Sequence, residues 1–191
     1  MGMVTTYEHA ELPADLLSRS AQSREFEDFW RRLRGGDIVP RRSAFNLARA
    51  ARFIRDLVLL EAPAPERPSL RIRLAGEHYQ EIAGQCLAGK DHLDFLEPDY
   101  RDGALTTGWL MATQPCGLWQ ITPMHTPRGY GQYIEVTGFP LGAGEDRIPL
   151  LLCHVRLTDT LLHTGDHKFS MESATQFNFI DVGCGIPEWA L

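Results

Sequence analysis

The sequence predicts an α+β fold, an antiparallel sheet half-covered by short helices, and three observations predict it. In Ser69 to Asp91, SLRIRLAGEHYQEIAGQCLAGKD, Leu70, Ile72 and Leu74 alternate with Arg71 and Arg73 at the period of a half-buried strand. Gly76 breaks that run, and Tyr79, Ile82 and Ala83 then fall at helical spacing before Gly84. A strand delivering the chain into short, broken helices is how some α+β folds roof a pocket over one sheet face. Upstream, Phe26, Phe29, Trp30 and Leu33 recur at i, i+3, i+4 and i+7, the stripe of an amphipathic helix. Downstream, three strand-like runs joined by short turns predict a meander.

Taken in order, residues 1–22 are polar and aperiodic and read as an arm. Ser23 is the expected N-cap of the first helix, with Glu25 and Glu27 in its first turn, and Gly35-Gly36 ends it. After Pro40, Ser43 is expected to cap a second helix carrying Leu47, Ala50, Ala51, Ile54 and Leu57 on one face. Val58 to Glu61 and Ser69 to Ala75 read as a hairpin joined by the proline-rich Ala62 to Pro68.

Past the turn at Gly89 and Asp91, His92, Leu93, Phe95 and Leu96 suggest one helical turn. A longer helix runs from Pro98 to Gln114, with Leu105, Trp109 and Ala112 along one side. Gly117 to Met124, Gly131 to Phe139 and Ile148 to Leu157 are the late strands, the last a near-continuous apolar run that belongs at the centre of the sheet. Five strands result. The division is therefore an arm over 1–22, one domain over 23–158 including the first helix, and an extension over 159–191. The extension holds too many apolar residues, Phe169, Phe177, Phe179 and Trp189 among them, for a disordered tail. It is expected to pack on the domain or on a second copy.

With 191 residues and ordinary globular composition, the chain can bury one sizeable core. No run of eighteen apolar residues occurs, so no transmembrane helix is expected, and MGMVTTYEHAELPAD has no secretion-signal pattern. Cys86, Cys116, Cys153 and Cys184 show no metal-finger spacing and read as reduced thiols, which points to the cytoplasm. The net charge of −6 is unevenly spread: eight arginines lie between Arg31 and Arg55 against Asp37 alone. Without interleaved aromatics or a recognition motif, that cluster weighs more as solvated helix faces than as a nucleic-acid interface.

At residue level FWRRLRGGDIVPRRSAF (Phe29 to Phe45), LRIRLAGEHYQEIAGQCLAGKD, GLWQITPM and YIEVTGFPL together resemble a bacterial family of stand-alone PAS domains. The family's Trp and Gly-Gly before a proline are matched by Trp30, Gly35-Gly36 and Pro40. Its Arg-x-x-Gly turn is matched by Arg73 to Gly76, and its Leu-x-Gly-Lys by Leu87 to Lys90. The resemblance spans Glu25 to Thr158. It implies a five-stranded antiparallel sheet with helices on one face, and a sensory or protein-interaction role without enzymatic activity. It carries over no catalytic residue and names no cofactor.

Such an architecture places a cavity between the sheet and the short helices. The expected lining is Tyr79, Phe95, Trp109, Trp119, Ile121, Ile134, Val136 and His154, a mainly apolar set. The expected occupant is a small-molecule ligand. The expected assembly is a homodimer through the amphipathic first helix and the strand Gly131 to Phe139, with output to a separate effector protein. Cys153 and His154 cannot pair as catalytic neighbours, because adjacent strand residues point to opposite faces. His163 and His167 lack a third ligand for a metal. Two rival readings are a cone-shaped α+β enzyme using His154 or His125 as base, and a nucleic-acid regulator using the Arg31–Arg55 cluster.

Overall fold

The structure, a computed structural model, describes residues 12–145, 147–163 and 167–188, the side chains of 160, 162 and 163 excepted. Residues 1–11 of the expected arm, with most of the stretch read for a signal, lie outside the described residues, as do the side chain of His163 and Trp189. The described residues hold three α-helices, α1 (Ala21–Arg34), α2 (Glu77–Ala83) and α3 (Arg101–Thr113). Their strands are β1 (Leu57–Glu61), β2 (Ile72–Ala75), β3 (Cys116–His125), β4 (Tyr130–Leu141), β5 (Leu150–His163), β6 (Ser170–Met171) and β7 (Gln176–Asp181). They form one antiparallel sheet in the order β2-β1-β5-β4-β3, with β6 and β7 both pairing along the outer edge of β3.

The predicted class holds, as does the element order apart from one helix expected after Pro40, and the strand count grows from five to seven among the described residues. The two additional strands come from the segment read as an extension. Gln176–Asp181 pairs with Ile121–Cys116 residue for residue, so its backbone groups continue the ladder. Phe177 and Phe179, with rings 4.9 Å apart, pack against the core from this edge.

Strand parity sorts the sheet into two faces. On one, Val58, Leu60, Leu118, Ile134, Leu151, Cys153 and Val155 face α2 and α3. On the other, Leu57, Leu59, Phe139, Leu150 and Leu152 meet α1 and the turns before β1. A register shift at Leu59/Leu60 in the β1–β2 pair puts Ile72 and Ala75 on the first face and Leu74, opposite Leu59, on the second.

Helix α1 is the main cover of the second face. Its Phe26 and Trp30 are fully buried. The Trp30 ring stacks on Phe139 at 4.9 Å and its Nε1 donates to the Pro140 carbonyl at 2.7 Å. Two corrections follow. The N-cap is Ser20, whose hydroxyl accepts from the Ser23 amide, while Ser23 lies inside the helix, buried, its hydroxyl 2.6 Å from that of Thr137. The apolar stripe expected to pair two copies is consumed within the chain, and β4 is an interior strand between β3 and β5. The grounds for choosing those two surfaces for a dimer are thereby removed.

The second helix expected after Pro40 does not form. Arg42–Ala44 and Ile54–Asp56 are single 3-10 turns separated by further turns, and Leu47 and Ile54 are exposed. The polar side chains compete for the backbone here: Asn46 Oδ1 accepts from the Arg49 amide, and Arg42 and Arg49 donate to the Phe45 and Ala44 carbonyls. Phe45, Ala50 and Phe53 still reach the core beneath α1.

The chain leaves β2 through Gly76, where an added Cβ would stand 2.2 Å from the Arg55 carbonyl oxygen. No side chain fits there, and this close approach is why the strand must end in glycine before α2. α2 stops at Gly84, left-handed at φ +64°. A 3-10 turn at His92–Phe95, capped by the Asp91 carboxylate, and another at Pro98–Tyr100 lead into α3. α3 buries Gly108 and Met111, while Trp109 stands 41% exposed. Leu105 and Ala112 of the expected stripe pack against the core and Trp109 does not: a Cβ at Gly108 would meet Pro63 at 2.9 Å, so the glycine, not the tryptophan, marks the packed face.

Candidate functional site

Between α2, α3 and the first face of the sheet lies a cavity of about 580 Å³, within the usual size of small-molecule sites. Alternation along four neighbouring strands builds its floor: Val58 and Leu60 from β1, Leu151, Cys153 and Val155 from β5, Ile134 and Val136 from β4, Leu118, Gln120 and Thr122 from β3. Tyr79, His92 and Leu96 roof one part, and Gly103, Ala104, Thr107, Gly108 and Met111 of α3 roof another. Phe177, Phe179 and residues 172–174 close the side. Val136 and Gln120 lie mid-strand yet are only partly buried, because they front the cavity.

Of the residues chosen from the sequence, Tyr79, Ile134 and Val136 line this cavity. Phe95 packs beside it, its ring 5.2 Å from that of Phe169. Trp109 turns to solvent. Trp119 and Ile121 stand on the opposite face with Leu16 and Tyr133, and His154 lies there between Phe26 and Phe53, at 5.4 and 5.5 Å. The parity of β3 and β5 separates them: one residue along each strand, Leu118, Gln120, Cys153 and Val155 take the inward places. Alternation alone cannot say which parity faces in when both faces of a strand are apolar.

The polar inventory is short. The Tyr79 hydroxyl reaches the Met171 sulfur at 3.3 Å, and burial pushes its ionisation well above the usual range. Burial also pushes the Cys153 thiol up to about 12, so it is a protonated, weakly polar wall and not a nucleophile. His92, whose amide is tied to the Leu70 carbonyl, is held down to about 4 by burial, against the opposing pull of Asp91. Its imidazole is therefore neutral at pH 7. Two atoms on this lining are buried without a partner: Nδ1 of His92 and Oγ1 of Thr122, whose residue is 3% exposed. Sequence reasoning passed over both; a threonine on a strand that also carries Trp119 and Ile121 gives no signal of its own.

On the opposite face a second polar centre is fully satisfied. Glu135, 1% exposed, accepts from the Ser20 amide and hydroxyl, Trp119 Nε1 at 2.8 Å and Arg156 Nε at 2.7 Å. Burial alone would raise its pKa, but these donors outweigh it and hold the carboxyl below its ordinary value. This is a structural clamp between the cap of α1 and the sheet. His154 is pushed down, chiefly by burial, and its ring lies against Phe26 and Phe53, away from the cavity. His125, the other candidate base, gives its Nε2 to a 2.6 Å contact with Glu172 at the end of β3.

Seven of the eight arginines between Arg31 and Arg55 are engaged within the chain, among them Arg31 with Glu27, Arg34 with the Val182 carbonyl, Arg52 with Glu25 and Arg55 with Glu77. Four of them, Arg31, Arg41, Arg52 and Arg55, pair with carboxylates, so half of the cluster's charge is answered locally. No group of three metal-ligating side chains occurs among the described residues, and no helix among them is long and apolar enough to cross a membrane.

A family model described as a PAS domain matches residues 18–115, from the segment that caps α1 to the threshold of β3. The matched region holds the whole helical roof of the cavity and the β1–β2 hairpin. No curated protein matches the chain.

Proposed function

The chain belongs to the PAS-domain family, whose model covers just over half of it, and from that premise we propose that it is a non-enzymatic sensory module governed by a small molecule in the roofed cavity. The observation that carries this reading is the space itself. An apolar chamber of about 580 Å³ lies under short helices in a sheet whose other face is tightly packed. The space is half open to solvent, a roofed, mainly apolar cleft of the kind that small-molecule sites occupy. Its walls offer no activated nucleophile: the Cys153 thiol is protonated and His154 points away.

Occupancy acts by population shift. A ligand bridging floor and roof favours the arrangement in which α3 and the His92–Phe95 turn sit closest to the sheet, and an effector protein reads that arrangement. Self-association, if used, takes surfaces other than the buried stripe of α1. The free cysteines suit a reducing cytoplasm. The test is soft-ionisation mass spectrometry of the freshly purified full chain, followed by organic extraction. A bound small molecule released on denaturation, and missing from a Val136→Phe variant, supports the reading. A bare chain that also takes up no apolar dye removes the sensory half and leaves protein interaction alone.

A further inference from the structure

Resting on that reading of the cavity, we propose that its ligand is an uncharged, largely apolar molecule whose single hydrogen-bonding end is held by the Thr122 hydroxyl, with His92 Nδ1 as a second polar point on the roof. Thr122 lies mid-way along β3, on a mainly apolar floor whose other polar residue is Gln120, two positions back on the same face. Its hydroxyl is buried and makes no hydrogen bond in the protein, and natural interiors rarely leave such a group unpaired. A threonine back-bonded to a carbonyl would need no ligand; Thr158, whose Oγ1 donates to the Tyr133 carbonyl at 2.8 Å, shows that alternative two strands away. Thr122 does not take it. His92 repeats the pattern from above, its backbone fixed to Leu70 and its Nδ1 buried without a partner.

Charge selects the class. Among the described lining residues there is neither lysine nor arginine, so nothing in the wall neutralises a carboxylate or a phosphate, and burying either unpaired is prohibitive. The charged side chains present, Asp99 and Glu172, are acidic, and Glu172 is already in contact with His125. His92 is neutral and adds no positive charge. A ligand built like a fatty alcohol or an aryl alkanol suits the apolar walls, with an apolar body against Val58, Leu60, Ile134 and Val155, and a hydroxyl that both donates and accepts against Thr122.

The experiment uses the full chain and Nile red, a neutral dye that brightens in apolar cavities, displaced in turn by decanol, decanoate and decylammonium at pH 7. Dye uptake is expected in the native chain and lost in Val136→Phe, which fills the floor. Decanol is expected to displace the dye about tenfold better than either charged analogue. Thr122→Val is expected to weaken decanol about fivefold, the worth of one hydrogen bond. Thr122→Ser restores it, and thermal stability in Thr122→Val stays equal or rises because an unpaired hydroxyl is gone. A structural threonine would instead lose stability on that change. If either charged analogue competes as well as decanol, or if Thr122→Val leaves decanol unchanged while the dye still binds, the ligand class is wrong and the cavity reading stands. If the native chain takes up no dye at all, the cavity reading fails and this inference with it.

Discussion

The Ser20 hydroxyl donates to the Glu135 carboxylate at 2.5 Å while the Ser20 amide donates to the same carboxylate at 2.9 Å, so one serine caps α1 and fastens it to the centre of the sheet. The carboxylate also holds Trp119 and Arg156. Replacing it leaves Arg156 beside the sheet without its partner. Glu135→Ala is expected to lower the unfolding free energy by about 3 kcal/mol, the scale for breaking a buried ion pair from one side. Glu135→Gln, which keeps the shape and part of the acceptor capacity, loses less. Urea unfolding followed by tryptophan fluorescence reads both, and equal stability of Glu135→Ala and the native chain would refute the clamp.

Acid is expected to destabilise the fold in two stages. His92 sits at about 4 in the folded chain against 6.5 unfolded, through burial first and with Asp91 opposing. The unfolded chain therefore takes up the proton earlier, and stability falls as pH drops from 6.5 towards 4, by up to about 3 kcal/mol for this one group. His154 shifts in the same direction, from burial, with Asp56 and Glu135 opposing and Arg156 adding to it. Below 4.5 the second stage begins, because Glu27 and Glu135 are held below their ordinary value and lose their partners on protonation. Urea midpoints from pH 8 to pH 2 check this, and His92→Phe should flatten the upper stage. A native profile flat between 6.5 and 4.5 would contradict it.

Two glycines give opposite forecasts. At Gly76 an added methyl would strike the Arg55 carbonyl at 2.2 Å, so Gly76→Ala must push apart the start of α2 and the turn before β1. A loss of about 3 kcal/mol is expected. At Gly103, in α3, nothing lies within 4 Å of an added Cβ, and Gly103→Ala should gain up to about 1 kcal/mol from helix propensity. Melting temperatures of the pair decide the matter.

Thiol chemistry should follow burial. Cys86 is exposed, while burial pushes Cys116 up to about 11 and Cys153 up to about 12. An aromatic disulfide reagent at pH 8 is expected to modify Cys86 about a hundredfold faster than Cys116 or Cys153. Those two should respond only as the chain unfolds. Fast labelling of Cys153 in the folded chain would show that the cavity wall opens.

Where one residue type decides geometry, the sequence was a good guide. Gly84 and Gly35 stop helices with positive φ, and Ile72 to Leu74 of the Leu70–Leu74 run lie in the same sheet as Trp119, Ile134 and Val155, the strand starting two residues later than its alternation begins. Legibility faded where two answers share one pattern. β5 is apolar on both faces along much of its length, and β3 turns Gln120 and Thr122 to the cavity and Trp119 and Ile121 away from it. Choosing Trp119, Ile121 and His154 over Leu118, Thr122 and Cys153 thus followed a parity that periodicity left open on β5 and misdirected on β3. Ser20 and Ser23 both suit a helix start, and only the position of Glu135, over a hundred residues away, selects the first. The turns between Pro40 and Leu57 carry helical spacing in their apolar residues, yet side chain to backbone bonds at Arg42, Asn46 and Arg49 divert the chain.

The pairing of Gln176–Asp181 along β3 has a practical sequel for anyone dissecting the molecule. Those six residues shield a strand edge that would otherwise invite other chains to add to it, and from the same backbone they supply Phe177 and Phe179 to the chamber. Trimming the protein back to its first five strands would thus unmask a sticky border and breach the chamber at one stroke. Loss of ligand in so shortened a chain would report missing masonry, not a missing signal.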